Sequence, residues 1–558
     1  MLTRFSVRAG QPEAARAASV FVARLAERGL ILSEDGAPVM FSLDTAVERE
    51  AFRVEDDEGG GLRVVSGGLL GLLHGAGWVL RQMTFTARGA LPCARRGEQK
   101  PRSAVRGMYF ASHFHNYYHM APIDELTRYL EDLALWGVNY LMTCYPMIDL
   151  ARMEDPESAR QLERHADLYA AAHALGMRCA SMVTVNGGFQ DYPRAWKAAP
   201  HNDPWVRRGD AGNMLCLAKP GVQALMDRYN AFLCEGLARS APDMFIAWPY
   251  DEGGCGCPDC APWGAKGFLR GARRGFEVVR SYFPQARRCL STWMFDTPYE
   301  GEWEALTASL AEERWCDMIL ADAHNDFPRY PLEQGVPGGL PLLNFPEISM
   351  WGLFPWGGWG ATMLPQRYAR LYAQTEGRLD GGFPYSEGVY EDINKAVVAQ
   401  LYWHGGGDWR ETLRQYARYE LGIADPAPFL RLVECVEKTQ TDVEQTGVCA
   451  LEDADEAYRL ARSIDEGLPD WAGCCWRWRI VLLRTLIDAR RYRIAAEQAG
   501  PQWRNGTEYR ASAVDWKTML ADDAPIQQAF RELIRRFHCS DKAMDEDPYH
   551  GRVRPVCD

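Results

Sequence analysis

Between Val105 and Tyr385 the sequence repeats one pattern eight times: a short apolar run, then a stretch that is mostly long enough for a helix. The runs are Arg106–Ser112, Val138–Cys144, Met177–Val183, Met244–Tyr250, Arg288–Trp293, Asp317–Ala321, Pro341–Phe345 and Gly381–Tyr385. Ile123–Trp136 and Gln161–Leu175 carry helical periodicity between the first three. Apolar strands separated by helices belong to parallel sheets covered on both faces. Eight in succession fit a closed (β/α)8 barrel better than an open doubly wound sheet. No Gly-x-Gly-x-x-Gly follows the first run, which weighs against a dinucleotide fold.

The flanks read differently. Residues 1–100 carry an amphipathic helix from Ala14 to Arg28 that stops at Gly29, then strands at Val39–Leu43, Ala51–Val54 and Leu62–Val65. Gly59–Gly61 makes the last two a hairpin, and Gly67–Met83 is an apolar helix. Polar residues 94–104 form a linker. After about residue 405 only helical patterns follow, at Trp409–Leu421, Phe429–Gln440, Asp453–Asp465, Trp476–Ala499 and Pro525–Phe537. The expected class is α/β: a small N-terminal α/β domain (1–100), a (β/α)8 TIM barrel (101–405) and a C-terminal helical domain (406–558).

Charge narrows the partners. With 62 Lys and Arg against 75 Asp and Glu, the net charge of -13 argues against nucleic acid and against anionic membrane surfaces. No apolar run is long enough to span a bilayer. The opening Met1–Arg8 lacks the apolar core of a secretory signal, so a cytoplasmic location is expected. The chain carries 19 Trp, 24 Tyr and 21 Phe, and aromatic faces stack on sugars. Carbohydrate is therefore the expected partner.

Chemistry on such barrels gathers at the C-terminal strand ends. Those positions offer His113 after the first strand, Asn186 after the third and Tyr250-Asp251-Glu252 after the fourth. The fifth offers Trp293, the sixth Asp322 and His324, the seventh Glu347 and Trp351, and the eighth Tyr385 and Glu387. Four of these are acids that stand out: Asp251, Glu252, Glu347 and Glu387. Cleaving a glycosidic bond commonly uses one carboxyl to protonate the leaving oxygen and another to attack or stabilise the anomeric carbon. A shared pocket of carboxylates raises one pKa and keeps that acid protonated near neutrality.

Directly after Glu252 comes Gly253-Gly-Cys-Gly-Cys-Pro-Asp-Cys260. Three cysteines at this spacing on a Gly/Pro loop suit one tetrahedral metal. Cys216, on the loop after the neighbouring third strand, is the expected fourth ligand beside Cys255, Cys257 and Cys260. The expectation is a closed structural zinc, with no cofactor for catalysis.

The small N-terminal α/β domain, Arg106-Gly107 on the first barrel strand and Asp251-Glu252 closing the fourth resemble the family 20 β-N-acetylhexosaminidases. Their distant relatives include the family 123 β-N-acetylgalactosaminidases. The resemblance implies that Glu252 is the general acid/base and that Asp251 orients the substrate's 2-acetamido group, whose carbonyl oxygen is the nucleophile. It implies exo-removal of a terminal β-linked N-acetylhexosamine, N-acetylgalactosamine among the candidates, with retention of configuration. Two features depart from the family: no Arg occurs at Ser112-His113-Phe114, and Ala247-Trp-Pro-Tyr stands where the family has His-Gly-Gly before its Asp-Glu. Two other readings remain open. One is a uronidase-like glycosidase with separated carboxylates, Glu252 as acid and Glu347 or Glu387 as base. The other is a sugar-binding barrel without catalysis.

Overall fold

The structure, a computed structural model, describes residues 1–112, 116–200, 214–250, 254–297, 299–324, 326–348, 361–446 and 451–499. Its first layer is a mixed sheet of β1 (Arg4–Ala9), β2 (Ile31–Leu32), β3 (Ala37–Leu43), β4 (Phe52–Asp56), β5 (Leu62–Ser66) and β8 (Gly97–Gln99). They lie in the order β2-β1-β3-β5-β4-β8, and β6 (Thr84–Thr86) and β7 (Gly89–Leu91) form a separate hairpin. β4 and β5 pair antiparallel as the glycine turn predicts, whereas β1, which the sequence reading passes over, runs parallel to β3. Helices α1 (Ala15–Ala26) and α2 (Leu69–Gln82) cover one face. Gly29, at φ 76, supplies the left-handed turn that ends α1.

The eight expected barrel strands are all present: β9 (Val105–Phe110), β10 (Tyr140–Thr143), β11 (Arg178–Val183), β12 (Met244–Ala247), β13 (Arg287–Ser291), β14 (Met318–Asp322), β15 (Leu342–Phe345) and β16 (Leu379–Gly382). Each pairs parallel with the next, and β16 returns to β9 through Gly381↔Val105, so the barrel closes. The eighth strand starts before its expected position and is interrupted at Phe383-Pro384. Proline offers no N–H to the ladder, and pairing with β9 resumes at β17 (Tyr385–Ser386).

The barrel interior is filled by Met244, Ile246, Cys289, Met318, Leu320, Leu343 and Phe383, together with Tyr140 and Met142. Gly107 is what admits Phe383: a Cβ there would lie 2.3 Å from that ring. Its neighbour Arg106 faces outward and is fully buried. Arg106 donates to the Gly137 and Ser103 carbonyls at 2.7 and 2.8 Å and pairs with Glu50 of the N-terminal layer. Arg106 therefore joins the N-terminal layer to the base of the barrel.

Beyond the barrel the described chain is helical: Trp409–Tyr419, Ala427–Thr446, Leu451–Asp465 and Trp476–Ala499. The helix expected at 525–537 lies outside the described residues. Arg477 sits on the seam with the barrel, its Nε 2.7 Å from Asp392 Oδ2 and its Nη2 3.1 Å from Asp132 Oδ2. No helix among the described residues is long and apolar enough to cross a membrane.

Candidate functional site

The mouth of the barrel is floored by aromatic rings because the strand alternation delivers them there. On β12, Met244 and Ile246 point inward, and Trp248 continues the same parity just past the strand. Its indole stacks on Trp293, with centroids 5.8 Å apart, and meets Phe345 edge-on at 4.7 Å. Phe345 lies 5.8 Å from both Tyr109 and Tyr385, which are themselves 5.3 Å apart. Trp248, Phe345 and Tyr109 were not singled out from the sequence as site residues. Following the period of two through β12, β15 and β9 to its end would have found them.

Acids from three successive strands stand around this floor. Glu347, two residues past Phe345, is buried, and its backbone bridges in parallel to Tyr385. Tyr385 N donates to Pro346 O at 2.9 Å, and Ile348 N to Tyr385 O at 3.2 Å, so the ends of the seventh and eighth strands are locked together. Glu387 is also buried, and its Oε1 accepts from the Tyr385 hydroxyl at 2.6 Å. Burial, then Glu387 and Glu347, hold that hydroxyl well above its ordinary pKa, so it stays a proton donor. The eighth-strand tyrosine thus stands in the field of both carboxylates.

Asp322, ending β14, accepts the His324 N–H at 2.8 Å and further backbone N–H groups from Met294 and Ala323. Burial nevertheless pushes its pKa up to about 6. The acid ties the end of the sixth strand to Met294 on the fifth. Met294 and Asp296 both adopt left-handed backbone, at φ 59 and 58, immediately after Trp293. Residues other than glycine reach that region only when the surroundings hold them there. His324 Nδ1 lies 4.0 Å from Glu347 Oε2. Burial and the nearby Arg367 lower its pKa to about 4, so the imidazole is neutral at neutral pH and this contact is not an ion pair.

Two expected sugar contacts are placed elsewhere. Tyr250 is turned out of the barrel, because the chain breaks alternation at Pro249. Its hydroxyl donates to Glu302 Oε1, and it packs with the outer core rather than the mouth. Asn186 is buried with its side-chain amide donating to Leu215 O at 3.1 Å, while Leu215 N donates to its backbone carbonyl at 2.8 Å. It fastens the loop after β11. Trp293, Asp322, His324, Glu347, Tyr385 and Glu387 do come together at the mouth. His113, Asp251, Glu252 and Trp351 lie outside the described residues.

Glu302 carried no sequence signal beyond its place at a helix start. It is fully buried and accepts from Tyr250, from Gly264 N at 2.7 Å and from Asp296 N at 3.1 Å. Burial pushes its pKa up to about 7 despite those donors. It joins the loop after the fourth strand to the loop after the fifth.

Among the described residues, two groups of side chains come close enough to share a metal ion. One is Cys435, Asp453 and Glu456 in the helical region. The other is Cys216, Cys255, Cys257 and Cys260, with all four sulfurs within 4.8 Å of one another. The loop after β11 and the loop after β12 therefore meet at sulfur.

No protein-family model and no curated protein matches the chain. Its fold, by contrast, is shared with solved glycoside hydrolases. An exo-β-N-acetylglucosaminidase of family 20 from Vibrio harveyi aligns with TM-score 0.53 at 11% identity, over 78% of this chain and 75% of that one. A family 89 glycoside hydrolase from Clostridium perfringens, in complex with 2-acetamido-1,2-dideoxynojirimycin, gives 0.55 at 12%, over 90% and 63%. A family 138 enzyme targeting pectin rhamnogalacturonan II gives 0.56 at 10%, over 96% and 74%. At these identities the likeness is one of fold.

Proposed function

We propose that this chain is an exo-acting glycoside hydrolase that removes a terminal β-linked N-acetylhexosamine, N-acetylgalactosamine among the candidates. The observation that carries the reading is the barrel mouth: an aromatic floor of Trp248, Trp293, Phe345 and Tyr385 beside the buried acids Glu347 and Glu387. Aromatic faces hold the apolar face of a pyranose, and the carboxylates accept its hydroxyls. The same fold in the family 20 and family 89 hydrolases supports the class.

In this reading Glu252 protonates the glycosidic oxygen as the bond to the anomeric carbon breaks. The substrate's own acetamido oxygen attacks that carbon from the opposite face and forms an oxazolinium ion. Asp251 orients the acetamido group and takes up the developing positive charge at its N–H. Glu252, now a carboxylate, removes a proton from water, which opens the ring to the product with configuration retained. Neutral His324 donates to a sugar hydroxyl, and the Tyr385 oxygen, its own hydrogen bond donated to Glu387, accepts from one.

One observation favours a second reading, a glycosidase with two separated carboxylates. Glu347 and Glu387 flank one tyrosine at the ends of adjacent strands, which suits one of them as the base with Glu252 as the acid. The test is a panel of aryl β-glycosides with and without the 2-acetamido group, with the anomer first released read by NMR. Substrate assistance predicts turnover of the acetamido sugars alone and a β-anomer first. Turnover of plain glycosides, or an α-anomer first, supports the separated carboxylates. Sugar binding by calorimetry with no turnover of any member would make the chain a lectin-like barrel.

A further inference from the structure

We propose that Cys216, Cys255, Cys257 and Cys260 bind one structural Zn²⁺ that staples the loop after the third barrel strand to the loop after the fourth. The four sulfurs lie within 4.8 Å of one another, and the Cys216 and Cys257 sulfurs are 3.6 Å apart. A tetrahedron with Zn–S arms of about 2.3 Å has edges of about 3.8 Å, so the cluster already has the dimensions of a zinc cage. None of the four is in a disulfide, and Cys216, Cys255 and Cys260 are buried.

Hydrogen-bond donors surround the sulfurs. The Cys255 sulfur accepts backbone N–H groups of Cys257 and Ala199, and the Cys216 sulfur that of Ala218. Arg270 Nη2 donates to the Cys260 sulfur at 3.5 Å. Four thiolates around Zn²⁺ leave a net charge of about −2, which these dipoles and the guanidinium offset. Zinc binding releases the thiol protons to solvent and involves no change of oxidation state. Four sulfur ligands close the coordination sphere, so the metal activates no water.

The cage is braced from both sides. Cys216 N donates to Trp196 O at 2.9 Å, and Gly256 N to Ala199 O at 2.8 Å. Cys260 N and Ala261 N both donate to Cys257 O, at 3.0 and 2.8 Å. Cys255 stands three positions after Glu252 in the sequence, so the staple fixes the chain that leaves the fourth strand. The inference is independent of the substrate, because metal content is measured whatever the chain hydrolyses.

The test is elemental analysis of the purified full chain, with thiols titrated by an organomercurial in the presence of a zinc-binding dye. The proposal predicts about one zinc per chain, released in step with modification of the cluster thiols. It predicts a melting temperature that falls on removal of zinc by a strong chelator and recovers on adding zinc chloride. Cys257→Ser with Cys260→Ser should abolish stoichiometric zinc; if that variant does not fold, the wild-type release assay decides alone. Substoichiometric metal, iron in place of zinc, or disulfides among these cysteines by mass spectrometry would overturn it.

Discussion

His74 shows how one buried side chain sets a pH dependence. It lies wholly inside, on the barrel-facing side of α2, with Nδ1 2.8 Å from Ala134 O and Nε2 3.3 Å from Arg106 Nη2. Those partners suit a neutral ring, protonated on Nδ1 and accepting on Nε2. Burial, reinforced by Arg106, lowers its pKa from 6.5 to about 3. Below the ordinary histidine range the unfolded chain therefore takes up a proton that the folded chain refuses until about pH 3. Stability from this group is full above pH 6.5 and is lost as the pH falls through that window. Urea unfolding measured against pH should show His74→Gln reducing proton uptake on unfolding by about one between roughly pH 4 and 6. An unchanged slope would contradict the neutral assignment. At the same scale, Glu302→Gln turns a carboxyl whose two oxygens accept three donors into an amide with one accepting oxygen. We expect a loss of about 1–3 kcal/mol by calorimetric melting, because Tyr250, Gly264 and Asp296 all converge on that carboxyl. No loss of stability would contradict its role as a tie between the two loops.

At the level of elements, the apolar runs were legible because a buried parallel strand has no polar face to hide its signal. All eight barrel strands fall within or against the runs read from the sequence. β1 was missed because Arg4-Phe-Ser-Val-Arg-Ala9 alternates polar and apolar residues over too short a span to stand out from a chain terminus. The aromatic floor was half legible: Trp293 and Tyr385 follow from strand ends. Phe345 needed the parity of β15 to be followed to its last residue, and Trp248 that of β12 to be carried one residue past its end. Tyr250 failed for the opposite reason, since Pro249 breaks the parity that would have pointed it inward. That Cys216 would lie beside Cys255, Cys257 and Cys260 was legible from neighbouring strand order alone, because adjacent strands of a barrel carry adjacent loops. Helix α2 supplies an element-scale prediction. Its Gly77 is a poor helix former, yet a Cβ there would sit 1.9 Å from Leu135 O on the helix Ile123–Leu135. Helix propensity alone makes Gly77→Ala stabilising by up to about 1 kcal/mol. The close approach makes it destabilising, by about 1–3 kcal/mol, which a denaturant titration reads directly. Stabilisation would mean that the two helices do not pack this tightly.

Across the whole molecule, the three parts are bound by a buried ionic seam that no sequence pattern announces, because its members read as ordinary charged helix faces. Arg24 of α1 pairs with Asp132 at 2.8 Å and Glu131 at 2.9 Å on the first barrel helix. Asp132 also meets Arg477 of the helical region, which reaches Asp392 on the last barrel helix and lies 3.6 Å from Glu420. Removing one partner of such a network strands the others without water. Arg477→Ala should cost about 3–5 kcal/mol and loosen the helical region first, seen as faster amide exchange over residues 409–499 than over the barrel. A loss confined to the barrel would contradict the seam. The seam fixes the helical region against the first and last barrel helices. The claim on which the functional account turns is that Glu252 donates a proton to a sugar's leaving oxygen at the barrel mouth. An activated phenol leaves without such help, so the decisive substrate is an alkyl N-acetyl-β-hexosaminide. Comparing kcat/KM for wild type and Glu252→Gln on that substrate, the account predicts a loss of about a hundred- to ten-thousand-fold; turnover close to wild type would contradict it.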